Sequence, residues 1–209
     1  MELDRSTIIK LLLLGGLLTT AVIFRKQIKK GAKKGVSKMQ KTYYNLANDQ
    51  MIEGLAPSVR KSANQVVKAI EKELGITIKV VSTLRDEKTS NELYSHSRTT
   101  AQLRKVGIKN IEGKPKETWK TNAYFGKSYH NFGYAFDIVE VKPQYGYGKG
   151  YPISRWKDIG KIAKRYGWSW GGDWKSQDLP HFQKNPMHHS KLLALHNAGK
   201  VDNEGYVVA

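Results

Sequence analysis

An aspartate inside an apolar stretch constrains the fold of this chain most strongly. Residues 128–141 read "SYHNFGYAFDIVEV", in which Asp137 interrupts an apolar run. A carboxylate is rarely buried without a partner. Because side chains alternate along a strand, Phe136 and Ile138 lie on the face opposite to Asp137. The stretch therefore predicts a strand with one apolar face and one face that carries a partnered carboxylate.

Two histidines are candidate partners for this carboxylate. His130 lies three residues before Gly133, and a turn at this glycine folds His130 back toward Asp137. A histidine and an aspartate at the edge of a sheet make two thirds of a mononuclear zinc site, whose third ligand should be another histidine. His181 is the candidate, since Pro180 fixes its backbone at the start of a predicted strand. The alternatives are a structural hydrogen bond for the pair and an ordinary core position for His181.

A catalytic zinc site needs two more groups. One is a carboxylate that takes a proton from the bound water, and Asp178, three residues before His181, is the candidate. The other is a cation near the carbonyl oxygen on which charge develops, and Arg85 follows the predicted strand 76–82 closely enough to supply it. The alternatives are a turn residue for Asp178 and a surface residue for Arg85.

The hydrophobic pattern predicts an α+β domain over residues 45–200, followed by a tail at 201–209. Apolar residues from Val59 to Leu74 share one face of a helix that ends at Gly75. Further helices are predicted after Arg85, over 154–167 and near the end of the domain. Residues 99–127 predict a long loop with one helical turn.

Composition limits the chemistry and the partners. The chain has no cysteine, so a disulfide framework and a thiolate nucleophile are excluded, and a metal site must use His, Asp or Glu. The net charge of +18 predicts a polyanionic partner. This excess is shared between residues 1–41 and the rest of the chain. Nucleic acid, anionic lipid and an anionic cell wall all fit it.

The N-terminus predicts a membrane anchor within residues 1–24. Residues 8–24 are apolar apart from Lys10 and two threonines, and as a helix they would span about 25 Å, near the lower limit for crossing a bilayer. A buried helix and a cleaved signal peptide are the alternatives. The start "MELDR" and the basic residues that follow at once favour an uncleaved transmembrane helix.

A basic juxtamembrane segment follows at residues 25–44. Its part 25–41 carries eight basic residues and no acidic one, which suits contact with anionic lipid or nucleic acid, or else a solvated tail. We therefore expect a single-pass membrane protein of a bacterial envelope or of a virion membrane. The basic residues favour the cytoplasmic side for this segment.

Three blocks of the sequence resemble a known family. "SYHNFGYAFD" matches the Ser-x-His-x-x-Gly-x-Ala-x-Asp signature of the D-alanyl-D-alanine carboxypeptidase / L-alanyl-D-glutamate endopeptidase family of zinc peptidases, which share a fold with the hedgehog signalling domain. "GWSWGGDWKSQDLPHFQ", residues 167–183, resembles its second signature. "STLRDEKTSNELYSHSRT", residues 82–99, resembles its arginine-bearing segment. The blocks occur in the family's order and cover about residues 55–185.

The resemblance implies a small central antiparallel sheet flanked by helices, and it implies a role for each site residue. Zinc would be held by His130, Asp137 and His181. Asp178 would be the general base, and Arg85 the cation that polarises the substrate carbonyl. Ser128 would contact either the substrate or a residue that binds zinc.

The expected substrate also follows from the resemblance. The Trp-Gly-Gly-Asp-Trp block is similar to the L-alanyl-D-glutamate endopeptidase branch, found in wall hydrolases and phage endolysins. This implies zinc-dependent hydrolysis of that bond in peptidoglycan stem peptides. Together with the predicted anchor, it predicts a membrane-anchored enzyme of lysis or entry, such as that of a phage. A D-Ala-D-Ala carboxypeptidase and an inactive, metal-binding wall module are the alternatives. A basic membrane protein that binds nucleic acid would leave the three blocks unexplained.

Overall fold

A computed structural model describes the backbone of residues 33–142, 146–147 and 153–208 and the side chains within 43–140 and 155–208. The predicted anchor at residues 8–24 lies outside these ranges. None of the helices in the described ranges combines the length and the apolar character that crossing a bilayer requires. Residues from Leu46 onward form one compact unit, which contains the sheet and the candidate site.

The predicted helices are confirmed within these ranges. Helix α2 has its predicted apolar face buried and ends where Gly75 adopts a left-handed conformation with φ of 66°. The long loop after Arg98 contains one short helix, α4, which begins with a capping box between Thr99 and Gln102. The helices are α1 (Lys33–Glu53), α2 (Pro57–Leu74), α3 (Glu87–Ser95), α4 (Thr100–Lys105), α5 (Ile153–Arg165) and α6 (His189–Asn197).

The strands form one antiparallel sheet in the order β1-β2-β5-β4, and β3 pairs with the far end of β2. The long strand β2 lies between β1 and β5. This confirms the α+β class and the small central antiparallel sheet. The strands are β1 (Ile78–Ser82), β2 (Ala135–Lys142), β3 (Gly146–Tyr147), β4 (Ser169–Trp170) and β5 (His181–Gln183).

The core lies on one face of this sheet. Phe136 and Ile138 are fully buried there, as the alternation predicted. Phe136 stacks on Phe182 of β5 with ring centroids 5.4 Å apart and meets the edge of Trp168 at 4.7 Å. Each such aromatic side chain stabilises the fold by about 1.5–3 kcal/mol through burial alone. Asp137 is left on the other face.

The side chain of Asn48 forms hydrogen bonds with the backbone of β1. Asn48 of α1 is 2% exposed. Its Nδ2 donates to the carbonyl oxygen of Ile78 at 2.9 Å, and its Oδ1 accepts from the backbone N–H of Val80 at 2.7 Å. One amide thus satisfies a donor and an acceptor that the sheet leaves unpaired. It fixes the strand that leads directly to Thr83 and Arg85.

Candidate active site

Two histidines and an aspartate converge on the sheet face opposite the core. Asp137 and His181 are direct antiparallel partners on β2 and β5, so their side chains start close together. Asp137 Oδ1 lies 3.0 Å from His181 Nδ1 and 3.2 Å from His130 Nε2. The two ring nitrogens are 3.2 Å apart. Each residue therefore offers one atom to a common point, as a metal site requires.

A short 3₁₀ turn, Tyr129–Phe132, places His130 in this cluster. Ser128 begins the turn, and its Oγ accepts a hydrogen bond from the N–H of His130 at 3.3 Å. Gly133 ends it with φ of 73°, and a Cβ at this position would lie 2.7 Å from the nitrogen of Ala56. The predicted turn at Gly133 is confirmed. Ser128 caps the turn, while its contact to substrate remains a prediction.

The remaining ring nitrogens show where the protons lie. His130 Nδ1 is 2.6 Å from the carbonyl oxygen of Thr83, so this nitrogen donates and Nε2 carries the lone pair. His181 Nε2 is 2.9 Å from Gln183 Oε1, so Nε2 donates, and Nδ1 is the nitrogen that can give a lone pair to a metal ion. Two ring nitrogens and a carboxylate oxygen then face one another. Two imidazole nitrogens and a carboxylate oxygen are a donor set that zinc prefers.

Burial and neighbouring charge act in opposite directions on these groups. Burial favours the neutral carboxyl of Asp137, but the charges and hydrogen bonds of His130 and His181 outweigh it and hold the pKa of Asp137 well below its usual range. Burial lowers the pKa of His130, which is 1% exposed. Burial also lowers the pKa of His181, but the hydrogen bond and the charge of Asp137 outweigh it and raise this pKa. Without a metal ion the cluster is therefore an ion pair of Asp137 and His181 beside a neutral His130.

Arg85 contacts the cluster through Asp137. Its Nη2 lies 2.5 Å from Asp137 Oδ2, the carboxylate oxygen that does not face the histidines. The two side chains are 23% and 17% exposed. Arg85 Nε donates to Ser82 Oγ at 3.0 Å, and the backbone N–H of Arg85 donates to the carbonyl of His130. Arg85 thus orients a predicted metal ligand, and its action on a substrate carbonyl remains a prediction.

The Trp-Gly-Gly-Asp-Trp block builds the turn that carries Asp178. The carbonyl of Gly171 accepts hydrogen bonds from the N–H of Asp178 at 3.0 Å and of Trp174 at 3.2 Å. A Cβ on Gly171 would lie 2.4 Å from the carbonyl oxygen of Asp178, so only glycine permits this approach. Burial raises the pKa of Asp178, and nearby His181 only partly offsets this. An accessible carboxylate of raised pKa suits a general base.

Two residues near the cluster received no role from the sequence. The ring of Trp174, 39% exposed, lies 5.1 Å from that of His181 between centroids and forms a wall beside the cluster. Gln183 Oε1 accepts a hydrogen bond from His181 Nε2, the ring nitrogen that does not face the cluster. The two-residue period of a strand puts Gln183 on the same face as His181 and could have identified it.

These features define an α+β protein with a candidate mononuclear metal site and an adjacent carboxylate. Residues 121–184 match the model of a peptidase family described as D-alanyl-D-alanine carboxypeptidase. The chain is 32% identical over 141 residues to the peptidoglycan L-alanyl-D-glutamate endopeptidase CwlK of Bacillus subtilis, covering 63% of this chain and 74% of CwlK. The chain belongs to the M15 family of peptidases, whose members are in general zinc-dependent.

A solved structure is also similar. The L-Ala D-Glu endopeptidase ChiX of Serratia marcescens aligns with a TM-score of 0.43 and 17% sequence identity, over 68% of this chain and 89% of ChiX. The region matched by the family model contains the His-Asp-His cluster and Asp178, whereas Arg85 precedes it.

Proposed function

We propose that this chain is a zinc-dependent peptidase that hydrolyses the L-alanyl-D-glutamate bond of peptidoglycan stem peptides. The observation that carries the proposal is the convergence of His130 Nε2, Asp137 Oδ1 and His181 Nδ1 at one point. Asp178 lies near enough for the charges of these residues to act on it. The choice of bond is supported by the similarity to CwlK, which is an L-alanyl-D-glutamate endopeptidase.

The three converging residues would hold the metal. When bound, zinc supplies Lewis acidity, which polarises a carbonyl and brings the pKa of a coordinated water down to about 7. Thr83 and Gln183 keep the histidine lone pairs directed at the site. Asp178 accepts the proton of the attacking water on its carboxylate and passes it to the leaving amine nitrogen as the C–N bond breaks.

Arg85 and Ser128 have supporting roles in this proposal. The guanidinium of Arg85 stabilises the negative charge that develops on the substrate carbonyl oxygen. Its position against Asp137 puts a positive charge at the edge of the site. Ser128 holds the turn of His130 and borders the substrate.

The variant Asp178→Asn tests the proposed chemistry. It keeps the size of the side chain but removes its basicity, so we expect cleavage to fall by roughly 10²–10⁴-fold. Stoichiometric zinc should remain, because the three ligands are unchanged. The matched control is Asp173→Asn on the same turn, whose carboxylate is 49% exposed and pairs with Lys164. The measurement is mass spectrometry of peptidoglycan digests, which detects new N-terminal D-glutamyl peptides, together with elemental analysis for zinc.

Other outcomes would redirect the proposal. Release of terminal D-alanine alone would support the carboxypeptidase alternative, which the description of the matched family favours. Zinc binding without any cleavage would indicate an inactive wall-binding module. Undiminished cleavage by Asp178→Asn would show that another group is the base.

We also propose that residues 8–24 anchor the enzyme in a membrane as a single span, ahead of a peptidase domain at 45–200. The apolar character of this segment supports the anchor, and the basic residues at 25–41 support contact with anionic lipid or nucleic acid. The location would be a bacterial envelope or a virion membrane, in phage lysis or penetration. The full-length protein should resist extraction with carbonate. Release by salt alone would mean that only the lysines hold it there.

A further inference from the structure

We infer that Gln183 is a positioning residue that keeps His181 Nδ1 directed at the metal and thereby sets metal affinity. This inference rests on the proposed function, because it assumes that the cluster holds zinc. Neither the sequence pattern nor the family resemblance assigned a role to Gln183.

The hydrogen bonds around Gln183 give its side chain one orientation. Its Oε1 lies 2.9 Å from His181 Nε2, and its Nε2 donates to Asn185 Oδ1 at 2.7 Å. The bond to Asn185 uses the amide N–H, so the amide oxygen is the atom that faces the histidine. Gln183 can therefore accept from His181 but does not donate to it.

The ring of His181 is held from two sides. Nε2 contacts Gln183, while Nδ1 lies 3.0 Å from Asp137 Oδ1. With a cation at Nδ1, the imidazole carries its one N–H on Nε2, the nitrogen that meets Gln183 Oε1. Gln183 accepts this N–H and thereby fixes the rotation of the ring. Because His181 is 6% exposed, water does not easily replace this acceptor.

The two histidines differ in what orients them, and only the group that orients His181 can be removed by substitution. His130 is oriented by the backbone carbonyl of Thr83, which no substitution removes. His181 is instead oriented by a side chain, that of Gln183, which lies two residues further along β5. Outer contacts of this kind typically change metal affinity by about 10–100-fold.

The test compares three variants of the full-length protein in detergent. Gln183→Leu removes the acceptor at similar size, and Gln183→Glu retains an acceptor at the same reach. Gln65→Leu makes the same chemical change at an exposed position of α2 and is the matched control. The zinc dissociation constant of each is measured by competition with a chromophoric chelator. Nitrogen-15 NMR of the zinc-loaded protein reports which ring nitrogen of His181 carries hydrogen.

We expect Gln183→Leu to bind zinc about 10–100-fold more weakly than wild type. In this variant the Nε2–H proton of His181 should exchange faster with water. Gln65→Leu should bind zinc as tightly as wild type. Gln183→Glu should bind zinc as tightly as wild type or more tightly, because it keeps an acceptor for His181. Equal zinc affinity in Gln183→Leu and wild type would overturn the inference and leave the zinc site standing. If Gln183→Leu does not fold, tenfold weaker binding by Gln183→Glu would overturn it. No stoichiometric zinc in wild type would overturn the proposed function itself.

Discussion

Replacing Asn48 by leucine should loosen the strand that leads into the candidate site. Asn48 satisfies the carbonyl of Ile78 and the N–H of Val80, and these two residues are 2% and 0% exposed. Leucine is of similar size but leaves both backbone groups without a partner in a place that water does not reach.

The expected loss follows from these two groups. Each buried polar group left unsatisfied costs about 1–3 kcal/mol. Burial of the apolar leucine side chain offsets part of this, by about 1.5–3 kcal/mol at most. With each unpaired group at about 2 kcal/mol and the leucine at about 2 kcal/mol, we expect the free energy of unfolding to fall by about 2 kcal/mol, a large share of the 5–15 kcal/mol typical of a domain. The variant should still fold at room temperature.

Urea denaturation followed by tryptophan fluorescence measures this change, with the midpoint shifted and the slope unchanged. Asn45→Leu is the matched control, since Asn45 lies on the same helix and is exposed. Metal affinity should also fall in Asn48→Leu, because β1 leads directly to Thr83, which orients His130. A loss below about 1 kcal/mol, or one equal to that of Asn45→Leu, would refute the assignment of these hydrogen bonds as the support of β1.

Two further outcomes follow from the site. Because burial raises the pKa of Asp178 above 3.8, its carboxyl should take up a proton at a higher pH than an ordinary aspartate in the zinc-free protein. Carbon-13 NMR of the Asp178 carboxyl measures this titration, and a midpoint at or below 3.8 would contradict it. Trp174→Ala should raise KM for a stem-peptide substrate by about 4-fold, as lost burial of one alanine methyl group at about 0.8 kcal/mol implies. Trp119→Ala, at another exposed tryptophan, should leave KM unchanged, and steady-state kinetics of both variants decide it.

The sequence by itself determined the features that depend on near neighbours. The end of α2 at Gly75 follows from a backbone conformation that glycine adopts readily. The burial of Phe136 and Ile138 follows from the two-residue period of a strand. The approach of His130 to Asp137 follows from Gly133, which lies between them in the chain. Spacing and side-chain chemistry specify each of these without knowledge of the rest of the fold.

Only the tertiary structure decided what surrounds the site. The sequence predicted a cation at Arg85, but its ion pair with Asp137 depends on the pairing of β1 with β2. The hydrogen bonds of Asn48 to β1 likewise join parts of the chain that are distant in sequence. Both depend on strand register and helix packing, which bring side chains within 3 Å only after distant segments have met. No local pattern carries that information, because such contacts arise from the packing of the whole domain.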